Sequence, residues 1–163
     1  PIDTEFHNPT NWEIRIAKLN DEYRHEAQFS KGYSPRWILD AKYIAYVKTD
    51  GVYLKEVSYT DFGSTNEVNL ITSPYSLSSL NQIAVAPNGA YLAVSYPADP
   101  DIADGAIEIY KISLDSNRLQ FDLVRRIVQQ NGDNMYSPVF SPEGRFLAFI
   151  TNDRIVDDFK ISI

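Results

Sequence analysis

The chain has 163 residues, long enough for a substantial core, and its 44% apolar content is that of an ordinary globular protein. A formal charge of −7 repels phosphate backbones and anionic headgroups, which argues against nucleic-acid and membrane-surface partners. The absence of cysteine excludes disulfide scaffolds, thiolate metal sites and thiol nucleophiles, and no apolar run reaches the ~20 residues that span a bilayer. An aromatic content of 13%, with 11 Tyr and 8 Phe, favours β structure, because flat and β-branched side chains fit a pleated surface.

Residues 1–11 read as an N-terminal extension. The next segment has two readings. Glu13-Ile14-Arg15-Ile16-Ala17-Lys18-Leu19-Asn20 aligns with Glu108-Ile109-Tyr110-Lys111-Ile112-Ser113-Leu114-Asp115 and so reads as a strand. Thr10-Asn11-Trp12-Glu13 also fits a helix capping box, with Trp12, Ile16, Leu19 and Tyr23 on one helical face. The strand reading makes 12–32 the outer part of a repeat unit, with Glu26–Phe29 as its outermost strand.

Three stretches then repeat. Tyr33-Ser34-Pro35-Arg36-Trp37 leads to Tyr43-Ile44-Ala45-Tyr46-Val47; Asn81-Gln82-Ile83-Ala84-Val85 leads to Tyr91-Leu92-Ala93-Val94; Tyr136-Ser137-Pro138-Val139-Phe140 leads to Phe146-Leu147-Ala148-Phe149-Ile150. The aromatic-aliphatic-Ala signature begins at 43, 91 and 146, intervals of 48 and 55 residues. Pro87-Asn88-Gly89 and Pro142-Glu143-Gly144 supply turn chemistry, since Pro presets φ and Gly accepts positive φ. The strand after each turn is apolar on both faces, as a buried central strand is. Leu39-Asp40-Ala41 stands where the first unit lacks this turn. A third strand with clean alternation follows each hairpin, at Val52–Val57, Ile107–Ile112 and Phe159–Ile163, and a fourth follows twice, at Glu67–Ile71 and Leu119–Val128.

Ser141-Pro142-Glu143-Gly144-Arg145-Phe146-Leu147-Ala148-Phe149 resembles the TolB-type β-propeller repeat, a relative of the WD repeat. Ala86-Pro87-Asn88-Gly89-Ala90-Tyr91-Leu92-Ala93-Val94 resembles it too, and the first unit keeps only Lys42-Tyr43-Ile44-Ala45-Tyr46-Val47. The resemblance covers roughly residues 30–163. It implies an all-β propeller segment of four-stranded antiparallel blades, full at 33–72 and at 80–129 (with an insertion at 97–105), and partial at 12–32 and 136–163, all in one propeller domain. Fewer than four blades do not close a ring, so the same resemblance implies further blades, or a complementary chain, beyond this segment. It also implies an extracytoplasmic setting, in a bacterial envelope.

Function is less sharply marked. No Gly-x-Ser-x-Gly elbow occurs, and the two histidines, His7 and His25, lie in polar contexts. The expectation is a binding module that is not an enzyme and needs no cofactor, with a protein partner. The resemblance also allows the gating propeller of a prolyl-oligopeptidase-type serine peptidase whose catalytic domain lies outside this chain, or a propeller that binds sugar or another small ligand in its channel. Tyr33, Arg36, Tyr75, Met135 and Tyr136, on or near the innermost strands, are the binding candidates, because aromatics and Arg dominate binding hot spots. Trp37 and Phe140, at matching positions, are assigned to the core. The one metal candidate is the loop 97–105, where Asp99, Asp101 and Asp104 precede Gly105 as in a calcium loop, although the spacing is not that of an EF-hand. Asp153, Asp157 and Asp158 make a weaker version of the same case.

Overall fold

The computed structural model describes residues 12–17, 26–38, 42–58, 67–72, 82–96, 105–115, 118–128, 134–152 and 159–162. The chain is all-β, and no helix occurs among these residues. It divides into two compact units, Pro1–Ser79 and Leu80–Ile163.

In the first unit, β1 (Glu13–Ala17) and β2 (Glu26–Lys31) form a two-stranded antiparallel ribbon. The strand reading of 13–17 therefore holds over the helical one. The alternation decides it, since Ile14 and Ile16 are buried while Glu13, Arg15 and Ala17 are exposed, a period of two. β3 (Tyr33–Ile38), β4 (Tyr43–Lys48), β5 (Gly51–Glu56) and β6 (Glu67–Thr72) form a four-stranded antiparallel meander in chain order. β4 is one of its two central strands, with Ile44 to Val47 buried on both faces. The ribbon packs on this meander through Ile14, Ile16 and Phe29 against Ile44, Tyr46 and Val57. A side chain of this class contributes about 1.5–3 kcal/mol on full burial, so the contact holds the ribbon firmly.

The second unit repeats the plan. β7 (Ile83–Val85), β8 (Tyr91–Tyr96), β9 (Ala106–Asp115) and β10 (Arg118–Val128) form the second four-stranded meander, and β11 (Asn134–Phe140), β12 (Leu147–Asn152) and β13 (Phe159–Ser162) a three-stranded one. Ala84, Ala93, Ile107 and Met135 make the buried cluster between them, with Phe140, Leu147 and Phe149 packed against it. Short β7 is held at its start by the wholly buried Ser95, whose Oγ accepts from the Gln82 amide at 2.8 Å and donates to the Gln82 carbonyl at 3.1 Å.

The two Pro-x-Gly turns are alike. Gly89 N donates to Ala86 O and Gly144 N to Ser141 O, both at 2.8 Å, with the glycines at φ 69° and 71°. The sequence accounts for this geometry, which is a Pro-initiated turn closed by a left-handed glycine. Ser141 Oγ also accepts from the amides of Arg145 and Phe146, at 3.2 and 3.1 Å. That gives the Ser of Ser-Pro-x-Gly its own role in the turn.

A polar network ties β2 to the first meander. The Tyr46 hydroxyl and the Lys48 ammonium both donate to Glu67, and Ser30 Oγ lies 2.9 Å from both the Tyr46 hydroxyl and Glu67 Oε2. Burial by itself raises the Glu67 pKa. The hydrogen bonds from Lys48, Tyr46 and Ser30 outweigh it and hold the carboxyl below its ordinary value. With a folded pKa below the unfolded one, the stabilisation is complete above the unfolded value and is lost as pH falls through the folded one. Glu67→Gln is expected to destabilise the chain at neutral pH by up to ~1 kcal/mol, the scale of a partly exposed pair, and to lessen the loss of stability on acidification. Urea unfolding from pH 3 to pH 7 checks it; parallel pH profiles for the two proteins would refute the assignment.

Candidate groove between the ribbon and the first meander

The first unit holds a groove of about 260 Å³ where β1 faces the β3–β4 hairpin. Ile14, Arg15, Ile16 and Ala17 form one wall; Pro35, Arg36, Trp37 and Ile44 form the other. The shape of β3 follows from its Tyr33-Ser34-Pro35 sequence. Ser34 adopts φ 53°, an unusual conformation for a residue with a Cβ, and the pairing with β4 shifts register between Tyr33 and Arg36. Tyr33 consequently turns inward, 3% exposed, its ring edge-on to Trp12 with centroids 6.2 Å apart. Gly32 N donates to Trp12 O at 3.0 Å and fixes the start of β3 beside β1.

After the bulge, regular pairing resumes as Arg36 opposite Ala45 and Trp37 opposite Ile44. Directly opposite residues share a face, so Trp37 lies on the Ile44 face, the one turned to β1. It is nevertheless 47% exposed. Its assignment to the core is therefore corrected, whereas Phe140 at the matching position packs on a buried cluster. The physical reason is the neighbour. Phe140 packs on a cluster that includes the small, buried Ala84 and Ala93 of β7 and β8, and no described strand takes that place over Trp37.

Arg36 is half-buried, and Nη1 donates to its neighbour's carbonyl, Pro35 O, at 2.8 Å. It makes no ion pair among the described residues. Desolvation lowers the pKa of its guanidinium, which stays charged as arginine does throughout neutral conditions. The groove thus presents an apolar floor and an accessible indole, and Arg36, paired opposite Ala45, contributes to its lining from the neighbouring position.

Of the other binding candidates, Met135 is wholly buried in the cluster of the second unit, and Tyr136 beside it is half-buried. The Tyr33 hydroxyl is buried without a hydrogen-bond partner among the described residues, and burial raises its pKa, keeping the phenol neutral. Tyr75, His7, His25 and all six acidic residues of the two metal candidates (Asp99, Asp101, Asp104, Asp153, Asp157, Asp158) lie outside the described residues. Among the described residues no three His, Cys, Asp or Glu side chains converge as metal ligands.

The same bulge recurs in β11. Ser137 has φ 48°, and the pairing shifts between Tyr136 and Val139. Sequence reasoning aligned the two Tyr-Ser-Pro triplets without reading a bulge in them. The signal was there, since Pro lacks an amide and cannot continue a ladder on its donor side.

A second titratable cluster sits in the second unit. The Tyr110 hydroxyl donates to Glu108 at 2.5 Å, and Glu108 meets Arg126 at 3.7 Å. Burial first, and then the hydrogen bond to Glu108, pushes the Tyr110 pKa up to about 12. It is a wall of donors and acceptors occupied by one another. No protein-family model and no curated protein matches the sequence.

The different surroundings of Trp37 and Phe140 give a direct test. Trp37→Ala is expected to change stability by no more than ~0.5 kcal/mol, as exposed substitutions do. Phe140→Ala is expected to cost about 2 kcal/mol, below the ~3–5 of a fully buried Phe. Equal losses in denaturant unfolding would show that Trp37 is covered in solution.

Proposed function

We propose that the chain is a non-catalytic segment of a TolB-like β-propeller and serves as a protein-interaction scaffold. One observation carries the reading: the exposed indole of Trp37 lies in a groove walled by Ile14, Ile16 and Ala17, with the half-buried Arg36 next to it in the chain and also among the lining residues. Trp and Arg are the residue types that dominate hot spots, and they act best on rigid elements with apolar surroundings. A cation already partly stripped of water gains from a partner's acceptor at small further desolvation. The described lining residues are apolar or basic, which suits contact with a partner's apolar and acceptor groups. The repeat resemblance supports the propeller part of the proposal, and the four-stranded meanders are compatible with it.

Site-specific photocrosslinking tests the assignment. A benzophenone side chain in place of Trp37 is expected to capture one discrete protein from extracts of the source cell. The same probe at Val124, 52% exposed on β10, is expected to capture none. Arg36→Ala should lower the adduct yield about tenfold, the scale of a hot-spot residue. Equal labelling from both positions would refute a specific interface at this groove.

A further inference from the structure

The two Pro-x-Gly turns of the second unit share one geometry and differ in the residue before the glycine. Gly89 N donates to Ala86 O and Gly144 N to Ser141 O, both at 2.8 Å, and the glycines sit at φ 69° and 71°. The preceding residue is Asn88 in one turn and Glu143 in the other, and both are exposed. Asparagine followed by glycine is chemically labile. Its side-chain amide carbon lies one five-membered ring from the next backbone nitrogen, and glycine has no Cβ to shield that nitrogen. A glutamate in the same turn would need a larger ring and a poorer leaving group. Among the described residues, nothing beyond the chain neighbours comes within 4 Å of where a Gly89 side chain would begin, so water reaches this side of the turn.

Two hydrogen bonds act on the reacting atoms in opposite senses. Ala90 N donates to Asn88 Oδ1 at 3.0 Å, an Asx turn that draws electrons from Cγ and holds the side-chain carbonyl in place. The electrophile is therefore preset. The nucleophile is locked, because the Gly89 N–H is held on Ala86 O and attacks only after that bond opens and a base removes the proton. The Asn88 side chain also reaches the other turn. A Cβ placed on Gly144 would lie 3.5 Å from Asn88 Nδ2 and 3.7 Å from Asn88 Cγ and Ala86 Cβ. The Asn88 amide thus lies against the turn that joins β11 to β12, while its own backbone forms the turn that joins β7 to β8.

We propose that Asn88 is a site of spontaneous deamidation gated by its own turn, and that its conversion loosens the contact between the two Pro-x-Gly turns. The deprotonated Gly89 nitrogen forms a bond to Asn88 Cγ. The bond from Cγ to Nδ2 breaks, and ammonia leaves with a proton taken from water. Water then opens the resulting cyclic imide at Cγ or at the backbone carbonyl. The first product is aspartate; the second is isoaspartate, whose main chain runs through the former side chain. The net reaction consumes a water and releases an ammonia, with no change of oxidation state. Either product replaces a neutral amide by a negative charge against the turn that carries Glu143. Isoaspartate also lengthens the backbone inside a turn closed by the Gly89–Ala86 hydrogen bond. The site lies in the second unit and is independent of the groove in the first.

Storage of the full chain at mildly alkaline pH, with the fold monitored by circular dichroism, tests the proposal. Peptide mapping by mass spectrometry separates Asn88-Gly89 from Asn131-Gly132, a second such pair that lies outside the described residues. Asn88 is expected to convert to aspartate and isoaspartate about tenfold more slowly than in a linear peptide of residues 83–93, since opening of the turn precedes attack. In Pro87→Ala, where φ is no longer preset, the rate should move towards that of the peptide. The converted fraction, isolated by charge, should exchange its Gly144 amide faster than fresh protein does. Asn88→Ser stored alongside should keep its original exchange rate. Failure of Asn88 to convert in the full chain overturns the site. Conversion as fast as in the peptide, or no acceleration in Pro87→Ala, overturns the gate. Unchanged exchange at Gly144 after conversion overturns the coupling between the turns.

Discussion

A strand that is apolar on both faces requires cover on both. Ile44-Ala45-Tyr46-Val47 in β4 and Leu92-Ala93-Val94-Ser95 in β8 are buried along their length, so neither meander is complete as a single layer. Each is matched by a second sheet, β1–β2 in the first unit and β11–β13 in the second, and the clusters between these layers are the cores. The backbone ladder organises the strands, whereas removal of apolar faces from water decides which sheets pair. The same demand defines the groove, because a two-stranded ribbon covers less of its neighbour than a four-stranded sheet covers.

The bulge shared by β3 and β11 is the second organising feature. A left-handed serine costs roughly 1–2 kcal/mol relative to ordinary strand geometry, and the chain adopts it twice, at Ser34 and Ser137. The return is a change of direction. Tyr33 is turned into the protein, and Arg36 and Trp37 are presented beyond the Pro. Locally strained backbone that recurs at one structural position is characteristic of sites where side-chain aim matters. Here it stands just before Arg36 and Trp37, both of which line the groove.

Polar groups are used for fastening. Glu67 gathers Ser30, Tyr46 and Lys48 into one network that joins β2 to β4 and β6, and Lys48 also lies 4.4 Å above the Tyr53 ring, which stacks on Tyr46. Lys55 donates to the Phe29 carbonyl at 2.5 Å and covers the Phe29 ring. The ribbon is thus held by charge and hydrogen bonds as well as by Ile14, Ile16 and Phe29. Its solvent-facing Glu13 and Arg15 lie 3.6 Å apart, an exposed pair of small energetic weight.

Much of the architecture was legible in the residues. Alternation identified β5 and β9, two-sided apolarity identified β4 and β8, and Pro-x-Gly located two turns, because these signals depend on short-range sterics and on a pleat of period two, whereas β1 was left between strand and helix. Arg36 was singled out as a binding candidate by its type and place. Trp37 was not, since its sequence position is that of Phe140 and only the neighbouring layer separates them. Whether an aromatic on a strand becomes core or contact surface depends on which residues, remote in the chain, come to lie above it. The repeat thus set the strands, their order and their inward faces by local rules. Packing between sheets decided which of two equivalent aromatics is covered and which stands open.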